Sequence, residues 1–150
     1  MAGEGPPEPK MRKARVLIVD DDPAVLNLLV EILNSDYECT PAASGEEAVS
    51  LVHEQQFDLV LSDINLGQIG GVEVVDEVVK MSPDTMVVMI SGNRDINFAL
   101  GSMRVAAFDY ITKPFKIDKV LDTARRAVER RNELARNTQA DTLSRSGAAD

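Results

Sequence analysis

The chain has 150 residues, is 44% hydrophobic, 27% charged and 4% aromatic, and carries a formal net charge of −9. That is enough chain for one domain with a real core and leaves little room for a second. The acidic balance argues against a nucleic-acid-binding surface and the few aromatics against base-stacking platforms; no apolar run approaches the roughly 20 residues of a membrane span, and no signal segment opens the chain.

The single cysteine, Cys39, excludes an internal disulfide framework and fits a reducing, cytoplasmic setting. The single histidine, His53, lies in an amphipathic stretch and reads as a solvated helix residue.

Residues 1–13 lack periodicity and read as a disordered tail. Residues 14–19 (ARVLIV) form a first buried strand, ending in Asp20, Asp21 and Asp22. Pro23 after Asp22 is a helix start, which makes Asp22 the N-cap and leaves Asp20 and Asp21 without a structural task. The helix runs to about Asn34 with Val25, Leu28, Leu29 and Ile32 on one face. A short second strand, 37–40, precedes a capping-box pattern of Ser44 and Glu47, which opens a helix through about Glu54.

The stretch 57–71, FDLVLSDINLGQIGG, is central. Its apolar start suits a strand covered on both faces. It breaks at Ser62 and Asp63 into a glycine-rich loop, the place where open α/β sheets put their chemistry. A valine-rich helical stripe follows, with Val72, Val75, Val78 and Val79. The fourth strand, 85–90, ends at Ser91-Gly92. Residues 93–105 carry a weaker helical pattern, and 108–112 form a fifth strand that ends at Lys113-Pro114. A long last helix runs from 115 to about Thr138, with Val120, Leu121, Ala124 and Val128 inward and Arg131 interrupting any dimer seam; the small polar residues after it read as disordered.

Five strand–helix pairs in strict alternation predict a doubly wound parallel sheet with five helices in three layers, flavodoxin-like in order 2-1-3-4-5. The expected organisation is a tail over 1–13, one domain over 14–130 and a helical extension with a flexible end over 131–150.

In a parallel sheet all carboxyl ends share one rim. Asp20, Asp21 and Asp63, the Ser91 hydroxyl and the Lys113 amine therefore converge, while the second strand supplies nothing. Two unit charges about 4 Å apart repel by on the order of 4 kcal/mol at an effective dielectric of 20. One lysine does not offset three acids, so either protons or a cation must. An all-oxygen site suits Mg2+, with Asp63 as the nucleophile of aspartyl-phosphate chemistry and Ser91 and Lys113 neutralising the phosphoryl oxygens.

VDDDP, LSDINLGQIGG, ISG and FDYITKPF, in that order and at those strand ends, resemble the receiver domain of two-component response regulators over about residues 14–130. The resemblance implies that Asp63 accepts a phosphoryl group from a sensor histidine kinase or phosphotransfer protein. It implies Asp20, Asp21, Asp63 and the Asn65 backbone carbonyl around Mg2+, Ser91 and Lys113 on the phosphoryl group, and Ser91 and Tyr110 as the switch pair. A usually cis Lys113-Pro114 bond is also implied. The surface of the fourth helix, fifth strand and fifth helix would then change, to control a partner, a homodimer or an output domain. Such a protein is a signalling switch, not an enzyme with an external substrate, and needs neither a membrane nor direct nucleic-acid contact.

Two departures stand out. Leu66-Gly67 replaces the family's frequent Met-Pro, which is expected to free the loop, and Ala106 stands where glycine is common. The alternatives are a receiver-like interaction module that works without phosphorylation, and an enzyme on the same fold. A flavin protein would need a Ser/Thr/Gly-rich loop after the first strand, where DDDP stands. An aspartate-nucleophile phosphatase would need a hydroxyl residue where Ala24 stands.

Overall fold

The computed structural model describes residues 12–66, 69–92 and 107–149, with side chains of the last helix as far as residue 137. The elements are β1 (Arg15–Val19), α1 (Pro23–Leu33), β2 (Glu38–Ala42), α2 (Gly45–Glu54), β3 (Leu59–Asp63), α3 (Gly71–Met81), β4 (Met86–Gly92), β5 (Asp109–Lys113) and α4 (Ile117–Ala149). The helix expected at 93–105 lies outside the described residues, so the last helix is the fourth described one.

The five strands pair in the order β2-β1-β3-β4-β5, all parallel. This is the expected flavodoxin-like sheet. Its alternation is sharp along β1: Val16 and Ile18 join one core layer with Leu29 and Leu33 of α1 and Ala124 and Ala127 of α4. Leu17 and Val19 join the other, with Ala48 and Val52 of α2 and Val75 and Val78 of α3. Successive strand residues point to opposite faces, and both faces are covered. A leucine buried as completely as Leu33, at 0% exposure, contributes about 1.5–3 kcal/mol.

Local signals work as the residues suggest. Asp22 caps α1 by accepting from the Ala24 N–H at 3.0 Å, with proline at the first turn. Ser44 caps α2 by accepting from the Glu47 N–H at 3.1 Å; the Glu47 carboxylate reaches back to the Ala43 N–H at 2.8 Å.

Several expectations need correction. On α1, Leu29 is buried and Val25 and Ile32 are partly buried against the core as expected, but Leu26 and Leu33 are buried too and Leu28 is exposed. The α3 face is Val74, Val75 and Val78, while Val79 is exposed. In helices this rich in aliphatic residues, more than one stripe fits a 3.6 period, and the sheet selects one. β2 continues past Thr40 through Pro41 to Ala42, because β2 is an edge strand, where a missing N–H costs no ladder bond. The last helix does not stop near Thr138 but runs to Ala149, since residues 138–146 contain neither proline nor glycine to end it. Arg131 turns back toward its own sheet: its Nε lies 3.8 Å from Asp58 Oδ1, one residue before β3.

Candidate functional site

The carboxyl ends of β1, β3, β4 and β5 form one rim, and the residues expected there are found along it. Asp63 closes β3 and is 7% exposed; Asp20 follows β1 and is 1% exposed. Asp21 is exposed beside them. One carboxylate oxygen from each of these three acids can be chosen so that all lie within 4.8 Å of one another. Lys113 closes β5 and extends past β4: its Nζ is 2.8 Å from Asp63 Oδ2 and 3.0 Å from Asp20 Oδ2. The Lys113-Pro114 bond is cis.

Backbone donors hold the acids in place. Asp20 Oδ1 accepts from the Asp22 N–H at 2.9 Å, and Asp63 Oδ1 accepts from the Asn65 N–H at 3.1 Å. The Asp20 N–H donates to Ala42 O at 3.1 Å, so the end of β2, which brings no functional side chain, still anchors the pocket. Burial pushes the Asp20 carboxyl above the usual carboxylate value and the nearby Asp63 charge adds to this, while the Asp22 N–H and Lys113 pull the other way. Burial alone would lower the Lys113 ammonium, but its hydrogen bonds to Asp63 and Asp20 outweigh that and raise it. Among the described residues Lys113 is the pocket's internal counter-charge, one ammonium against three carboxylates.

Ser91, next to last in β4, is 1% exposed, and its Oγ has no hydrogen-bond partner among the described residues. A buried hydroxyl in that condition calls for an explanation. Tyr110 sits earlier in β5, level with Met89, and is half-buried on the α2–α3 side of the sheet. Burial raises its phenol above the ordinary value. Asn65 is exposed one residue past Ile64.

The donor set fits a hard divalent cation. All its ligand atoms are oxygens, and octahedral Mg2+ with bonds of about 2.1 Å places its ligands about 3 to 4 Å apart. Little contraction of the acid cluster is needed.

Sequence reasoning missed what shapes the loop after β3. Leu66 is only 3% exposed and packs in the α2–α3 core layer; Gly67, on which the expected freeing of the loop turns, lies outside the described residues. At Gly71 a Cβ would lie 2.2 Å from the Asp63 carbonyl oxygen and 2.8 Å from Ile64 Cα. Only the paired glycines at the helix start signalled so close an approach.

Residues 16–125 match the response regulator receiver domain family. The chain belongs to that family. This receiver domain is 29% identical over 133 residues to the transcriptional regulatory protein ZraR of Escherichia coli (strain K12), covering 88% of this chain and 30% of ZraR. It is 34% identical over 128 residues to the C4-dicarboxylate transport transcriptional regulatory protein DctD of Pseudomonas aeruginosa, covering 83% of this chain and 27% of DctD. The solved receiver domain of NtrX from Brucella abortus superposes on it with a TM-score of 0.70 at 35% identity, covering 76% of this chain and 98% of that one. The chain thus spans under a third of the length of these two curated relatives. No described helix of this receiver domain is long and apolar enough to cross a membrane.

Proposed function

We propose that this receiver domain is a phosphorylation switch in which Asp63 takes a phosphoryl group from the phosphohistidine of a sensor histidine kinase or phosphotransfer protein. A carboxylate oxygen of Asp63 forms the new P–O bond, the P–N bond breaks, and the electron pair leaves with the imidazole. Support comes first from the ammonium shared by Asp63 and Asp20 at 2.8 and 3.0 Å, beside a third acid. This contact holds the nucleophile where a cation already balances its charge.

Asp20, Asp21, Asp63 and the Asn65 carbonyl would hold Mg2+, which when bound supplies positive charge at the phosphoryl oxygens. The chain's own residues do the rest. Lys113 orients Asp63 and then meets the added charge of roughly −1.5 to −2 that a phosphoryl group brings. Ser91 has a buried hydroxyl with no acceptor among the described residues, and a phosphoryl oxygen would give it one. As Ser91 moves to that oxygen, Tyr110 turns into the space it leaves. The face carried by β5 and α4 is thereby remodelled for a partner, a second copy or an output domain. The shift is between two existing states a few kcal/mol apart.

On this reading the domain spans 14–130, residues 131–150 extend it, and residues 1–13 precede it. It works in the cytoplasm, contacts no nucleic acid or membrane itself, and acts on no external substrate beyond its phosphodonor and its own phosphoaspartate.

Incubation with Mg2+ and acetyl phosphate tests the proposal by intact mass. The unaltered chain should gain one base-labile phosphoryl group and Asp63→Asn none. No gain by the former, or an equal gain by the latter, overturns it. Loss of partner binding on Asp63→Asn or on Mg2+ removal separates the switch from a phosphorylation-independent module.

A further inference from the structure

The second strand and helix place no acid, amine or hydroxyl in the pocket among the described contacts, yet one residue of α2 touches the loop that builds it. A Cβ on Gly45 would lie 2.3 Å from the Ile69 carbonyl oxygen and 2.9 Å from the Ile69 Cβ and Cγ2 atoms. The nearest atom belongs to the backbone, so no change of rotamer relieves the contact. Gly45 is buried and helical, so closeness, not conformational freedom, requires a glycine there.

The far side of the same loop is closed as well. The Gly71 N–H donates to Ile64 O at 2.8 Å, and the Asp63 carbonyl oxygen fills the space a Gly71 side chain would take. Leu66 pegs the loop into the core layer that α2 shares. Ile69 pushed away from α2 therefore cannot move freely toward Asp63 or Leu66. Its displacement is passed through Gly70 and Gly71 to the Ile64 and Asp63 carbonyls, beside Asn65, which is exposed and whose N–H holds Asp63 Oδ1.

We infer that Gly45 is a positioning residue for the acid pocket: by lacking a side chain it seats the β3–α3 loop and so aims Asp63 and Asn65. The inference rests on the phospho-acceptor reading of that pocket.

The test compares Gly45→Ala with Val120→Ala, which trims a buried side chain in the opposite core layer. Amide resonances of the metal-free proteins and Mg2+ titration by calorimetry are the readouts. Gly45→Ala should shift the amides of Asp63, Ile64 and Asn65 and weaken Mg2+ binding about tenfold, as loss of an outer-shell support does. Val120→Ala should lower Tm and leave both readouts alone. Unmoved amides at 63–65 in Gly45→Ala, or equal weakening by Val120→Ala, overturns the inference. If the unaltered chain binds no Mg2+, the metal reading falls and the amide shifts alone decide the positioning role. If Gly45→Ala does not fold, Ile69→Ala, which removes the Cγ2 atom from the same contact, must shift the same three amides or the inference fails.

Discussion

Lys113, at the end of β5, reaches across β4 to Asp63 at the end of β3, with Nζ 2.8 Å from Oδ2. The same nitrogen serves Asp20 at 3.0 Å, so one side chain ties three strand ends together. The Lys113 ammonium is raised in the folded state. Its contribution is therefore fully present below the unfolded lysine value of about 10.4 and is lost only as pH rises through the folded value. Lys113→Met should destabilise the metal-free domain at neutral pH by on the order of 2 kcal/mol, since it leaves two buried carboxylates without their counter-charge. Adding Asp20→Asn should recover part of the loss, because one of the repelling charges is gone. Denaturant midpoints measure both effects, and an unchanged midpoint in Lys113→Met would remove the internal counter-ion from the account.

Asp21 separates metal binding from folding. It is exposed, yet it belongs to the acid cluster. Asp21→Ala should change metal-free stability by no more than about 0.5 kcal/mol. Saturating Mg2+, at 100 times its Kd, should stabilise the unaltered domain by about 2.7 kcal/mol, and Asp21→Ala should lose most of that gain. Thermal melts with Mg2+ and with EDTA give the comparison. A full Mg2+ response in Asp21→Ala would exclude it from the metal site.

Much of this pocket was legible in the chain because strand ends are. VLIV, LVL and VVMI are short, continuous apolar runs that suit strands covered on both sides, and in a parallel sheet their carboxyl ends meet at one rim whatever the loops do. Asp20, Asp63 and Lys113 could therefore be brought together without coordinates. Helix faces were less legible: Leu28 and Leu26 sit equally well in a helical stripe, and only packing against the sheet buries one and exposes the other. The seat of Ile69 on Gly45 was not legible at all. It depends on how near a loop after β3 passes to a helix after β2, a distance that residue types do not encode.

Gly71 makes a sharp contrast with Gly92. A Cβ at Gly71 meets the Asp63 carbonyl oxygen at 2.2 Å, whereas one at Gly92 meets nothing within 4 Å among the described residues. Gly71→Ala should cost about 1–3 kcal/mol, the range of overpacking, and should displace Asp63 enough to depress its phosphorylation by acetyl phosphate. Gly92→Ala should leave stability within about 0.5 kcal/mol. Urea midpoints for the two variants decide the matter, and equal costs would mean that the Asp63–Gly71 approach is not tight in solution.

The last prediction concerns β5 and α4, away from the acids. Arg126 pairs with Asp109 at 2.9 Å and with Asp122 at 3.0 Å, and lies over the Phe108 ring at 5.9 Å. Burial works to raise the Asp109 carboxyl, but the Tyr110 N–H and Arg126 outweigh it, and the group is lowered. A lowered carboxyl contributes stability above its unfolded value of about 3.9 and loses it as pH falls through the folded value. Arg126→Gln should therefore destabilise the domain at pH 7 by up to about 1 kcal/mol, the scale of a partly exposed pair, and the gap to the unaltered chain should narrow as Asp109 is protonated. Urea midpoints at neutral pH and near pH 3 test this. A gap that persists undiminished in acid would assign the effect to packing of the Arg126 stem on Phe108 and not to its charge.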